Sequence, residues 1–332
     1  MRRFLTISLC LLVLVSAVLA GCNKADNGKN ESAVESVKFG AGVYVSTPVT
    51  ADATEDKNGS GKLDVTVAAV TVDKDGKIVS CDLDTASNTV NFTFDGKGVA
   101  NEEFKTKYEL GDSYNMVAYG GATEEWYRQA DTFETFVAGK NLDEVKALVV
   151  EGNKGTQAVL NAGCTIMINE FVGAIEKAYN AASAKVNADS VLKVRVATEQ
   201  TIADATEEKD GSNKIAVNVF AAANDAEGKV AAASSDCVEV TFTFDMKGVS
   251  TLDTTKAVLS KKEQGDNYGM VAYGGAEKEW YQQAAAFDAA CVGKTAEEIA
   301  SLVGEDGKGV SEVQDAGCTI FVTGFVKAAS KN

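Results

Sequence analysis

The chain repeats itself, and this internal duplication limits the folds open to its 332 residues more than any other feature. Asp52-Ala-Thr-Glu-Asp-Lys-Asn-Gly59 returns as Asp204-Ala-Thr-Glu-Glu-Lys-Asp-Gly211, and Phe92-Thr-Phe-Asp95 returns as Phe242-Thr-Phe-Asp245. Tyr114-Asn-Met-Val-Ala-Tyr-Gly-Gly-Ala122 matches Tyr268-Gly-Met-Val-Ala-Tyr-Gly-Gly-Ala276, and Glu125-Trp-Tyr127 matches Glu279-Trp-Tyr281. Ala162-Gly-Cys-Thr-Ile166 matches Ala316-Gly-Cys-Thr-Ile320 at the same distance from the Tyr-Gly-Gly turn in both copies. A whole unit has been copied, and two tandem domains are expected, over residues 37–187 and 189–332.

Each copy changes its hydrophobic period halfway along. Leu63-Asp-Val-Thr-Val and Val90-Asn-Phe-Thr-Phe94 alternate at period two, which predicts antiparallel strands. Asn58-Gly59 and Asp210-Gly211 read as two-residue hairpin turns, because both positions of a type I′ turn need positive φ. Asp73-Lys-Asp-Gly76 and Asp225-Ala-Glu-Gly228 read as further turns. An EF-hand calcium loop would place its glycine at position six, whereas Gly76 stands at four. In the second half of each copy the spacing becomes helical: Trp126, Ala130, Phe133 and Val137 form one stripe ending at Gly139, and Trp280, Ala284, Phe287 and Cys291 form another ending at Gly293. Short helices are predicted at Leu142–Val149 and Ala296–Leu302. Closing helices carry Phe171, Ile175 and Tyr179, or Phe325, Ala328 and Ala329. Strands followed by helices predict an α+β fold of antiparallel sheet with helices in the second half of each repeat.

The amino terminus predicts where the protein works. Arg2 and Arg3 precede an apolar run, Phe4 to Ala20, that is too short and too soon followed by polar residues for an internal membrane span. Leu19-Ala20-Gly21-Cys22 resembles the lipobox of bacterial lipoproteins, which implies cleavage of residues 1–21, a lipid on Cys22 and a place on the outer face of the cell membrane. Residues 22–36 lack apolar periodicity and read as a flexible stalk. With Cys10 in the leader and Cys22 lipidated, five of the seven cysteines are left: Cys81, Cys164, Cys237, Cys291 and Cys318. An odd set without a Cys-x-x-Cys pair is neither a disulfide framework nor a metal set, so these are expected to be small buried hydrophobes.

Composition removes several function classes. With no histidine there is no Ser-His-Asp or Cys-His catalysis, no His-ligated metal and no imidazole shuttle. A net charge of −16 argues against nucleic acid, and against direct electrostatic binding to an anionic membrane; the membrane is reached only through the lipid. The acidic surface serves solubility.

The repeats agree best in two places: the Tyr-Gly-Gly-Ala turn before the Trp-Tyr helix, and the Gly-Cys-Thr turn before the closing helix. Both are expected to be loop-to-helix junctions, where free N–H groups suit a phosphate and glycine admits a flat ligand. Each also has a purely structural explanation, as turn, core residue or helix start. The candidate site residues are Tyr119, Gly120, Gly121, Trp126, Gly163, Cys164 and Thr165 in the first repeat. In the second they are Tyr273, Gly274, Gly275, Trp280, Gly317, Cys318 and Thr319.

Glu-Trp-Tyr followed by Gln129-Ala-Asp-Thr-Phe133 or Gln283-Ala-Ala-Ala-Phe287, then Val137-Ala-Gly-Lys140 or Val292-Gly-Lys294, then the Gly-Cys-Thr-Ile turn, resembles the tandem FMN-binding domains of secreted lipoproteins. Those proteins serve flavin-based extracellular electron transfer. More distantly, the last turn is similar to the flavinylation motif of FMN-binding subunits of ion-translocating oxidoreductases. The resemblance implies FMN, two per chain, joined through phosphate to Thr165 and Thr319 by a flavin transferase. Cys164 and Cys318 stand where that family has Ala or Ser. It further implies a membrane quinol or NADH dehydrogenase system as electron source and an acceptor outside the cell. The expected role is that of a carrier rather than an enzyme with its own substrate. The alternative is a non-redox envelope lipoprotein whose duplicated loops bind a ligand.

Overall fold

The computed structural model describes residues 35–331. The leader 1–21, Cys22 and the stalk as far as residue 34 lie outside the described residues. The first repeat comprises β1 (Ser36–Val45), β2 (Val49–Ala51), β3 (Gly59–Val72), β4 (Ile78–Phe92), β5 (Gly98–Val99), α1 (Lys107–Leu110), α2 (Met116–Gly120), α3 (Trp126–Val137), α4 (Leu142–Lys146), α5 (Gln157–Ala162), α6 (Asn169–Ala181) and β6 (Ala184–Asn187). The second comprises β7 (Val191–Ala203), β8 (Gly211–Asn224), β9 (Val230–Phe244), α7 (Lys261–Gln264), α8 (Trp280–Cys291), α9 (Ala296–Ala300), α10 (Ser311–Asp315) and α11 (Thr323–Ala329). The fold is α+β with two antiparallel sheets, one ordered β5-β4-β3-β1-β6 with β2 also on β3, the other β7-β8-β9.

The predicted helical stripes are those that the structure buries: Trp126, Ala130, Phe133 and Val137 on α3, and Trp280, Ala284, Phe287 and Cys291 on α8. Gly139 and Gly293, both at positive φ, follow the two helices at their predicted ends. The alternation in β3 separates two cores. Leu63, Val65 and Val67 face the other sheet, in a cluster with Val196, Ile215, Val217 and Val240; Ala68, Val70 and Val72 face the helices of their own repeat. Ile215, Val217 and Val219 against Phe220 and Ala222 divide β8 in the same way. The result is four layers, helices on sheet on sheet on helices, and the central strands are buried on both faces.

The only proline explains one difference between the halves. Pro48 offers no N–H to a ladder, so the strand breaks between β1 and β2, whereas β7 pairs with β8 without interruption from Val191 to Ala203. The segment joining the repeats is also ordered: β6 pairs with β1, leaving only Ala188 to Ser190 before β7.

Two expectations are corrected. The first concerns the hairpins. Asn58-Gly59 is not a type I′ turn; the tight reversal is at Glu55-Asp56, inside the Thr54↔Lys57 bridge, and Gly59 begins β3 without positive φ. Glycine is required there because a Cβ would collide with the Phe92 ring, and at Gly211 because it would collide with Phe244. The second concerns the register of the duplication. Phe92 pairs with Gly59 and Phe244 with Gly211, so the structural counterpart of Phe92 is Phe244, not the Phe242 that identity suggested. The two rings stack face to face at 4.5 Å and 6° between the repeats, a pairing worth about 0.5–1.5 kcal/mol beyond area burial.

The repeated Asp-Ala-Thr block lies at the same junction, and its contacts are reciprocal. Ala53 N–H donates to the Gly248 carbonyl and Ala205 N–H to the Gly96 carbonyl, both at 2.8 Å. Asp52 accepts from Ser250 N–H at 2.9 Å, and Asp204 accepts from Gly98 N–H at 3.0 Å. A self-complementary contact of this kind requires the same residues twice, which accounts for the survival of the block in both copies.

Candidate functional site

Each repeat carries one cleft built from counterpart residues. The first, of about 490 Å³, is lined by Lys107, Tyr114, Met116, Trp126, Lys154 and Thr165 among others. The second, of about 460 Å³, is lined by Lys261, Tyr268, Met270, Trp280, Lys308 and Thr319. Both volumes fall in the range of small-molecule sites.

The Glu-Trp-Tyr motif builds the cleft wall. The Glu125 carboxylate is buried and accepts from Met116 N–H at 2.9 Å and Val117 N–H at 3.0 Å, holding the turn that leads into Tyr-Gly-Gly. Glu279 does the same for Met270 and Val271 at 2.9 and 3.1 Å. Trp126 and Trp280 line the clefts and also anchor the core, edge-on to Phe171 and Phe325. The hydroxyls of Tyr127 and Tyr281 donate to Asp112 and Asp266, bracing the loop that precedes the turn.

The structure separates the sequence candidates. Thr165 and Thr319 are exposed and line their clefts. Neither is a helix N-cap, since the caps of α6 and α11 are Ile168 and Val322; each threonine stands instead in the loop, four residues before its helix begins. Gly120 and Gly121 line the first cleft. A Cβ on either would meet nothing within 4 Å, so open space borders the backbone there. Gly121 and Gly275 hold φ of 68° and 67°, a conformation that glycine adopts without strain. Tyr119 and Tyr273 are 87% and 92% exposed and, like Gly274 and Gly275, lie outside the lining of the clefts. Instead of a bare turn, Tyr119 and Gly120 belong to the short helix α2. Gly163 and Gly317 end α5 and α10 at positive φ, and Cys164 and Cys318 are buried behind the threonine, where burial pushes their thiols up to about 11. Those cysteines pack and stay protonated.

No family model, curated protein or solved structure matches the chain.

Two kinds of residue escaped the sequence reading. The first is lysine. Lys107 Nζ lies 5.7 Å from the Tyr114 ring and 5.6 Å from the Trp126 ring, and burial holds it below its ordinary pKa against the pull of Asp64 and Glu170. Among the described residues it makes no ion pair. Lys261 Nζ lies 5.3 Å from Tyr268 and 5.6 Å from Trp280, but it also pairs with Glu239 at 3.1 Å. Burial acts to lower it; the Glu239 carboxylate, by charge and hydrogen bond, helps to hold it above its ordinary value. Helical spacing gave no hint of either lysine, because each reaches the cleft from a one-turn helix far upstream in sequence.

The second is glutamine. Gln129 Oε1 accepts from Thr165 N–H at 2.8 Å and Thr165 Oγ1–H at 3.0 Å; Gln283 Oε1 accepts from both groups of Thr319 at 2.9 Å. The recurrence of a polar residue on an otherwise apolar helix face was the available signal.

Where α3 packs on β4, Asp82, Asp84 and Glu134 form a partly buried acidic group. Burial pushes them up to about 6, about 7 and about 8 respectively. The Glu134 carboxylate accepts from Leu83 N–H at 2.7 Å, so the group ties α3 to β4.

Proposed function

We propose that this chain is a lipid-anchored extracellular flavoprotein. It would carry electrons from a membrane quinol or NADH dehydrogenase system to an acceptor outside the cell, with FMN joined through phosphate to Thr165 and Thr319. The observation that carries this reading is the recurrence, in two matched clefts, of an exposed threonine beside an indole and an ammonium.

The residues fit the group. The apolar and aromatic wall supplied by Trp126, Tyr114 and Met116, or Trp280, Tyr268 and Met270, suits a flat heteroaromatic ring. Lys154 and Lys308, beside the threonine loops, are placed to balance a phosphodiester. Lys107 and Lys261 favour negative charge deeper in the cleft. When bound, FMN supplies the electron-accepting chemistry itself. The chain's part is to hold it, limit its contact with water and set the charge around it. None of these tasks calls for an imidazole, which agrees with a chain that has no histidine.

The test is co-production with a flavin transferase. Purified protein is expected to be yellow and heavier by two FMN less two waters; Thr165→Ala and Thr319→Ala each remove one increment, and the double variant removes both. Colourless protein of unmodified mass refutes covalent attachment, and a titration with FMN then decides whether the clefts bind it reversibly.

A further inference from the structure

We propose that Gln129 and Gln283 are positioning residues for phosphoester formation at Thr165 and Thr319, an inference that rests on the flavin reading above. A hydroxyl on an exposed threonine ordinarily rotates freely and exchanges partners with water. Here the backbone N–H and the hydroxyl of one surface threonine both converge on a single buried amide oxygen, in both repeats, at 2.8–3.0 Å. The glutamines are 1% and 2% exposed. Their other end is locked as well, since Gln129 Nε2 donates to the Glu124 carbonyl and Gln283 Nε2 to the Lys278 carbonyl, both at 2.9 Å. Two donors on one side and a carbonyl on the other leave only one amide orientation that satisfies every group.

Such a residue is costly for a core. A buried amide must have all its hydrogen bonds met, and leucine or methionine on the same helix stripe would fill the space without that requirement. What glutamine adds is control of the threonine. It fixes χ1 and the hydroxyl proton together, and among the described residues no donor reaches Thr165 Oγ1 or Thr319 Oγ1, so the oxygen's lone pairs stay available to an incoming electrophile. A neutral amide cannot take the proton; it can only hold it in place until a base does.

The step balances as a phosphoryl transfer without redox change. The threonine Oγ–H bond breaks and an Oγ–P bond forms to the flavin-side phosphorus of a flavin–nucleotide pyrophosphate. The bridging P–O bond breaks, a nucleoside monophosphate leaves, and the hydroxyl proton passes to a base of the transferase. Fixing the nucleophile removes rotational freedom before the reaction, and losing that alignment costs on the order of 10- to 100-fold in rate.

The experiment follows one site at a time in full-length chain purified without flavin. With Thr319→Ala as background, purified flavin transferase and flavin adenine dinucleotide are added, and the mass increment at Thr165 is followed by intact mass spectrometry across carrier concentrations. Gln129→Met, which keeps length but removes the acceptor, is expected to lower the maximal rate at least tenfold with KM for the carrier within about twofold. Gln129→Glu, which keeps an acceptor oxygen, is expected to recover most of that rate. Should Gln129→Met fail to fold by circular dichroism, Gln129→Asn, whose amide cannot reach, replaces it with the same expectation. A folded Gln129→Met modified at the parent rate overturns the inference, as does a loss carried wholly by KM. If the parent background itself gains no flavin, the flavin reading fails and the positioning role falls with it, a result distinct from the first two because it precedes any glutamine change.

Discussion

The two clefts share their framework and differ in their charge. Glu125 and Glu279, Trp126 and Trp280, Gln129 and Gln283, and Thr165 and Thr319 superpose role for role, down to hydrogen bonds within about 0.1 Å of one another. Around them the first cleft has Asp64 and Glu170, where the second has Ala216 and Gly324. Glu170 bonds only to the Thr66 hydroxyl among the described residues, and burial, with Asp64 nearby, holds it above its ordinary pKa. In the second cleft Glu239 is ion-paired to both Lys214 and Lys261. After duplication, then, the groups that position the loops have been kept while the groups that set the local field have drifted. Two identical cofactors placed in these clefts would experience different surroundings.

The largest effect tests the shared framework. Glu125→Ala removes a buried carboxylate that holds two N–H groups, and Glu279→Ala removes its counterpart. Each is expected to lower stability by about 2–4 kcal/mol, given about 1.5–3 kcal/mol for each hydrogen bond to a charged group and incomplete additivity. Urea denaturation checks this, and equal losses in the two variants would sharpen the claim of a common scaffold. A loss confined to one repeat would break it.

A smaller effect separates the repeats by pH. Glu134 is raised in the folded protein to about 8, so between the unfolded carboxyl pKa and pH 8 the native state binds more protons than the unfolded one. Its contribution is fully present below about pH 4 and is lost as pH rises through about 8. Asp82 and Asp84, raised to about 6 and about 7, act in the same direction over a lower range. Glu134→Gln is expected to raise stability at pH 8 by at least about 1 kcal/mol and to do little at pH 4. The counterpart Asp288 accepts from Ser235 N–H and Oγ–H. Asp288→Asn is therefore expected to gain less at pH 8, because the two bonds from Ser235 work against the effect of burial on the carboxyl. Thermal melts of both variants at the two pH values read the difference.

The smallest effect concerns the cleft ammonium groups. Lys107→Met removes a half-buried cation that has no ion pair among the described residues and is expected to change stability by less than about 0.5 kcal/mol, since desolvation and attraction to the rings offset. Lys261→Met leaves Glu239 with Lys214 alone and is expected to cost about 1 kcal/mol. Equal values from denaturant titration would remove the proposed asymmetry.

How much of this was legible in the sequence depends on the range over which the information acts. The stripes on α3 and α8 were readable because the 3.6-residue period is local and both helices bury one face. The threonines stood out because a duplicated Gly-Cys-Thr turn is unusual. By contrast, Tyr119 was as strongly repeated as any residue, yet its ring is in solvent. Identity alone does not distinguish a residue kept in the cleft from one kept at its rim. Gln129 was visible only as one letter of a motif, since its role depends on a loop 36 residues away.

The sequence by itself determined the internal repetition of motifs, the α+β order and the buried stripes of the longer helices, because these follow from chain periodicity. Only the tertiary structure decided that Phe92 answers Phe244, that Gly59 and Gly211 serve close approach rather than a turn, and that a lysine and a glutamine complete each cleft. These outcomes depend on which strand faces meet and in what register, and register is set by contacts between residues far apart in the chain, where no local pattern reaches.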